Sequence, residues 1–365
     1  MTTGAPVGPG PIRSAPRRRG AAAPSPTSTP TPAPAPAPAH SGPVTTTDVD
    51  RLAELEALRR PLTAYAYRMM GASSESDDAA QETILRAHRH LDRFDPGRGS
   101  LRTWVFRIAT NVCLDLLRGT ARRALSMDLG PASAGCPLGP PRRADHFVEP
   151  MPGSRLLSAA DPAELVVERE TVRLAFVAAL QHLPPRQRAT LILRDVLRFS
   201  AAETAVLLQT SPAAVNSALI RARETLDRHR PSPADPFDPA DAEQRALLER
   251  YVAAFEAHDV DALTAVLRDD ATTSMPPFAW WVRGGARIAG LVAQGGCAGA
   301  RLVPTVINGS AGFGQYRPAG DGSVRPFALV LVELRDGRVA DSVTFLGSGD
   351  RFAEFGLPDL LPADR

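Results

Sequence analysis

The chain has no lysine: every one of its 42 cationic Lys/Arg positions is arginine. With its abundant alanine and proline, this reads as the imprint of a GC-rich genome, so arginine by itself does not signal bidentate recognition. Cysteine is nearly absent. Cys113, Cys136 and Cys297 lie far apart and form no CxxC pair, which argues against a disulfide framework or a zinc site and fits a reducing cytoplasm. No run of 18 apolar residues occurs, so no membrane span is expected. Arg17, Arg18 and Arg19 have no apolar segment behind them, unlike a secretory signal. No cofactor fingerprint and no metal-ligand spacing is present, and neither a cofactor nor a metal is expected.

Charge, by contrast, is present and segregated. The whole chain carries +2, yet Ile84–Arg123 alone holds nine Arg against three Asp. Such a basic stretch is an electrostatic footprint for nucleic acid. Immediately before it, Glu75, Asp77 and Asp78 with Gln81 and Glu82 make an acidic helix face, which points to a protein partner. Residues 241–365 carry 16 acidic and 12 basic groups, leaving residues 1–240 at +6.

The organisation follows from periodicity. Residues 1–46 hold twelve prolines and read as a disordered, polyproline-prone tail. Val49, Leu52, Leu55, Leu58, Leu62, Tyr65 and Met69 recur at helical spacing up to Gly71, a helix stop. A second helix is expected from about Ser74 to His90. Phe94–Ser100 is turn chemistry, and Ser100 is an N-cap for a third helix with Leu101, Trp104, Val105, Ile108, Val112 and Leu116 as its core stripe. Residues 47–123 therefore form one helical module. Residues 124–160 lose periodicity and read as a linker. Asp161-Pro162 starts a second helical module, 161–230. Within it Ser200 and Glu203 make a capping box. Ser211-Pro212 opens a last helix that buries Val215, Leu219, Ala222 and Leu226. Two helices joined by a tight turn describe a helix-turn-helix, here without the usual turn glycine. After a short linker, 231–240, residues 241–350 change to α+β character. Asp336-Gly337 between two β-rich runs signals a hairpin. Residues 351–365 read as a tail.

These segments resemble, in order and residue type, the sigma-70 family of bacterial RNA polymerase factors, specifically its extracytoplasmic-function (group 4) branch. Asp77-Asp78-Ala79-Ala80-Gln81-Glu82-Thr83 is similar to that family's acidic motif, with Ala79-Ala80 in place of Leu-Val. The resemblance implies that Glu75, Asp77, Asp78, Gln81 and Glu82 dock on the clamp helices of the largest core-polymerase subunit. It implies that Phe94, Arg98, Ser100, Arg102, Arg107, Asn111, Asp115, Arg118 and Arg122 melt and read the −10 promoter element. A base flipped into the Asp95–Ser100 loop costs a few kcal/mol of unstacking. The helix-turn-helix, Leu183–Leu226, resembles the family's fourth region, which implies that Asn216, Ser217, Arg221 and Arg223 read the −35 element.

In residues 241–350, an opening helix with Tyr251 and Phe255, then Asp269-Asp270-Ala271-Thr272-Thr273-Ser274-Met275-Pro276-Pro277, then Trp280, Trp281 and Gly284, resemble the SnoaL-like, ketosteroid-isomerase-like cone. Asp269, Asp270 and Asp341 are its candidate general bases, and each is expected instead as a surface or capping residue. His258 is expected at a helix cap. The fold class is then multidomain: two all-α modules plus an α+β cone. The implied function is a sigma factor without catalytic residues of its own, whose acidic C-terminal domain regulates it in cis, with an anti-sigma protein or a small ligand as possible further partners. Two other readings stay open: a helix-turn-helix regulator with a ligand-sensing domain, and a DNA-binding portion fused to an isomerase or hydrolase.

Overall fold

The structure, a computed structural model, describes residues 46–135, 137–157, 162–229, 231–319 and 322–362. The Pro-rich tail up to residue 45, the Asp161 cap and Cys136 lie outside the described residues.

The first apolar stripe is broken into two helices, α1 (Thr46–Ala57) and α2 (Arg59–Met70). Pro61 has no N–H to give the Ala57 carbonyl and its ring crowds that carbonyl, so the helix restarts there. Gly71 ends α2 in the left-handed conformation at φ 69°, its N–H bonded to Tyr67 O. Helix α3 spans Ser73–Arg89. Ser100 caps α4 (Leu101–Leu116) by accepting from the Thr103 N–H. On α4 the expected stripe is corrected. Leu101, Val105 and Val112 are buried, but so are Phe106, Ala109 and Cys113, while Leu116 is 44% exposed. The helix is covered on two sides, which a single stripe does not describe.

Short helices α5 (Gly153–Leu156), α6 (Pro162–Val172) and α7 (Leu174–Leu180) lead to α8 (Pro185–Leu191), which runs on as a π turn to Val196. Helix α9 (Ala201–Leu207) opens with the expected reciprocal capping box of Ser200 and Glu203. Helix α10 (Pro212–Arg228) opens on the Ser211 cap and buries Val215, Leu219 and Ala222. The missing turn glycine is replaced by Gln209, held at φ 51°.

The C-terminal part begins with α11 (Ala242–Ala257), capped by Asp241, and α12 (Val260–Val266). Six strands and one helix follow: β1 (Leu267–Ser274), β2 (Trp281–Arg283), α13 (Gly285–Leu291), β3 (Arg301–Ile307), β4 (Ser310–Pro318), β5 (Val324–Arg335) and β6 (Arg338–Leu346). They form one sheet in the order β2-β1-β6-β5-β4-β3, antiparallel except for the β1–β6 pair. The β5–β6 hairpin turns at Asp336-Gly337, both at positive φ, as a type I′ turn requires. Asn308-Gly309 makes the same kind of turn between β3 and β4.

Strand alternation gives the sheet two buried faces. Phe313, Val330, Val332 and Leu334 face α11–α13. Tyr316, Leu329, Leu331, Val343 and Phe345 face the helical modules, where they meet Tyr67, Val172, Leu174 and Val177. The two helical modules also share one core, in which Leu55, Tyr65, Phe106, Leu191, Phe199 and Leu219 cluster. The reading of residues 124–160 as a linker is thereby corrected over its described residues. Residues 124–157 are a packed strap, with bridges Ala124–Phe147, Pro141–Phe278 and Pro152–Ile307. The expected tail is corrected too: a 3-10 helix, Gly349–Phe355, buries Phe352 and Phe355.

Candidate polymerase and nucleic-acid surfaces

On α3 the acidic side chains cluster on one face, as their spacing requires, but most are already engaged. Glu75 pairs with Arg123 at 2.6 Å, and Arg123, 4% exposed, also donates to Met70 O. Asp77 pairs with Arg155 of the strap at 2.6 Å, and Arg155 reaches Glu354 of the last helix at 3.3 Å. Burial between these segments raises the Asp77 carboxyl above its ordinary value, against the pull of Arg155. Arg351 donates to Ser73 Oγ and Pro150 O. Gln81 accepts from Arg59, and Glu82 pairs with Arg86. Asp78 is exposed.

The basic face behaves similarly. Asp95 accepts from the Gly97 N–H and shapes the loop, leaving Arg98 and Ser100 exposed. Phe94 is half-buried against Trp104, ring centroids 5.6 Å apart. Arg107, Asn111, Asp115 and Arg118 are exposed along α4, with Arg118 paired to Asp115 at 3.2 Å. Arg102 faces inward. It donates to Leu197 O, and its guanidinium lies 4.1 Å from the Phe199 ring centre. Its burial lowers its pKa. Arg122 meets the His182 ring. On α10, Asn216, Ser217 and Arg221 are exposed, while Arg223 makes a two-pronged pair with Asp195 at 2.9 and 2.7 Å.

Sequence reasoning missed the residues that join the modules. Arg188, 4% exposed, donates to Met69 O at the end of α2 and to Gln181 and Leu183 carbonyls, and burial pushes its guanidinium down to about 10. Arg68 bonds Thr171 of α6. Asn308 accepts from Met151 N–H and donates to Tyr67 Oη and Val172 O. Arg173 meets Glu333 at 3.2 Å, both less than a tenth exposed. Only Asn308-Gly309 left a readable signal, an Asn-Gly pair after a β-rich run. Burial pushes the Cys113 thiol up to about 12, which marks it as a packing residue.

In the cone, Asp269 and Asp270 are exposed, with Asp270 paired to Arg268. Asp341 lies on the strap side, bonded by Thr272. His258 is the left-handed cap of α11. None of the three carboxylates lines the cavity beneath the sheet.

The Sigma-70 region 2 family matches residues 55–123, and the Sigma-70 region 4 family matches residues 173–226. The ECF RNA polymerase sigma factor SigG of Mycobacterium tuberculosis (strain ATCC 25618 / H37Rv) is 45% identical over 319 residues, 86% of this chain and 85% of that protein. This chain belongs to the ECF sigma factors. The ECF sigma factor SigJ of the same organism is 30% identical over 302 residues, 79% of this chain and 89% of that protein. A crystal structure of M. tuberculosis SigJ matches 84% of this chain and all of that chain, with a TM-score of 0.55 and 26% identity. As an ECF sigma factor the chain directs RNA polymerase to promoter DNA through regions 2 and 4. The reading as a free-standing helix-turn-helix regulator falls. Among the described residues no helix is long and apolar enough to cross a membrane.

Proposed function

We propose that this cytoplasmic sigma factor divides its work by surface and is held closed by its own C-terminal body. The α3 face with Glu75, Asp77, Asp78, Gln81 and Glu82 docks on core polymerase. The Phe94–Arg122 surface opens the −10 element, and Asn216, Ser217, Arg221 and Arg223 read the −35 element. The cone carries out no reaction of its own; its part is to set when these surfaces are free.

One observation carries the regulatory part: Arg155 joins Asp77 of the polymerase-facing helix to Glu354 of the C-terminal helix. A docking carboxylate is thus paired from within the chain. On the DNA surface Arg102 is likewise engaged from within the chain, by Leu197 and Phe199 of region 4 rather than by the C-terminal body. Opening exchanges these internal contacts for polymerase and promoter, and the strap then tethers two readers whose second contact gains from effective concentration.

The test is core-polymerase affinity of the full chain, measured by fluorescence anisotropy. A half-exposed ion pair is worth up to about 1 kcal/mol, so Arg155→Ala is expected to bind core about two- to fivefold more tightly. Arg155→Glu, which sets three carboxylates together, is expected to gain more. Unchanged or weaker binding by both variants contradicts the closed state.

A further inference from the structure

The cavity beneath the sheet measures about 300 Å³, at the small end of ligand sites. Its walls are mostly apolar: Phe255, Met275, Trp280, Ile288, Leu302 and Val330. Strand alternation places Phe313, Gln315 and Arg317 of β4 on this one face, running from the apolar core toward the rim. Ser342 donates to Thr273, so those hydroxyls answer each other. Two polar groups stay poorly answered. The Gln315 side chain, 2% exposed, has its amide nitrogen only against Cys297 Sγ at 3.8 Å. Arg317 lies with its guanidinium 3.6 Å from the Phe327 ring centre, and its Nε is buried with no hydrogen-bond partner. Among the described residues no carboxylate pairs with Arg317, and no Asp or Glu lines the cavity.

A half-buried cation whose Nε has no partner, beside a buried amide donor that meets only a thiol, leaves donors for an anion or acceptor to satisfy. One guanidinium and one amide suit a single carboxylate, which a planar fork takes by charge-assisted hydrogen bonds. They are too few donors for a phosphate dianion. A cationic ligand finds no counter-charge. We propose that this cavity binds a small, predominantly apolar carboxylic acid, with Arg317 and Gln315 holding the carboxylate and the chain lying on the apolar walls.

The site reaches beyond the cone. Leu138, from the strap between the two promoter-reading modules, lines the cavity. Trp280 and Trp281 donate their indole N–H groups to Gly135 O and Gly130 O of the same strap, each at 2.9 Å. An occupant that presses on Trp280 and Leu138 therefore acts on the segment joining α4 to α6. This coupling rests on the closed state proposed above, whereas ligand binding does not.

The experiment titrates the full chain with decanoate, below its micelle concentration, and with decanol as the uncharged control, by calorimetry. Hydrogen exchange then follows residues 126–142 at saturation. Decanoate is expected to bind 1:1 and about tenfold more tightly than decanol. Arg317→Gln is expected to abolish that preference, and Gln315→Leu, which keeps the apolar volume, to reduce it. Exchange across 126–142 is expected to change on saturation. No saturable binding, or equal affinity for acid and alcohol, overturns the site. A preference retained in Arg317→Gln overturns the assigned head-group residue. Binding with unchanged exchange overturns the strap's part in it, and leaves the Arg155 test to judge the closed state separately.

Discussion

At the scale of single residues, the contacts that join the modules of this sigma factor are made largely by buried arginines and one histidine. Arg188 is a cation spending its donors on backbone carbonyls, including one at the C-terminal end of α2, where the helix dipole favours positive charge. His182 stands at the same junction, stacked on His229 with ring centroids 3.7 Å apart and in contact with Arg122 of region 2. Burial first, and then the Arg122 charge, holds its pKa below the ordinary imidazole value, although Asp128 at 3.7 Å pulls the other way. The folded protein therefore binds this proton less readily than the unfolded chain, and stability is lost as pH falls through the unfolded value of about 6.5. Chemical denaturation at pH 7.5 and pH 5.5 is expected to show a loss that His182→Gln reduces. A loss of equal size in the variant assigns it to other groups. None of this was legible in the sequence. Charge density marked Arg102 and Arg122 as cations for DNA, but composition cannot say which partner a cation meets, and here both meet region 4.

At the scale of elements, legibility depends on how many sides an element buries. Helix α10 packs on one side, so its stripe of Val215, Leu219 and Ala222 was readable directly. Helix α4 is enclosed by α3 and by Phe199, which lies 5.4 Å from Phe106, so its stripe was read only in part. The strap was unreadable for a different reason. Its contacts run through backbone atoms, such as the Glu149 N–H on Gly71 O, the Ser133 N–H on Trp281 O and the carbonyls that receive the indoles. A side-chain pattern does not record these. The last helix did carry a signal, Phe352 and Phe355 three apart, within a stretch too short to show a period. The Asn308-Gly309 turn is a wedge driven into the helical part, and Asn308 is fully buried there. Asn308→Ala leaves a buried N–H and a buried carbonyl without partners, at about 1–3 kcal/mol each. A loss of about 2–5 kcal/mol in urea denaturation is expected, and a loss below 1 kcal/mol would place the closure elsewhere.

At the scale of the whole molecule, one sheet serves two purposes by burying both faces. Its inner face encloses the cavity with Arg317 at the rim, and its outer face holds the two promoter-reading modules and the strap together. The acidic balance of residues 241–365 beside a basic front half already suggested an intramolecular partner. What the sequence could not show was that Glu75, Asp77 and Glu82 of α3 are paired from within. The central claim is that this intact chain directs core polymerase to initiate at a promoter, with its region 2 and region 4 surfaces released from these internal contacts. The direct measurement is run-off transcription with purified core polymerase on a template chosen by binding-site selection with the same holoenzyme. The account expects a discrete transcript that depends on the full chain and falls strongly in Asn111→Ala and Arg221→Ala. Absence of initiation by intact, folded chain bound to core polymerase would contradict it.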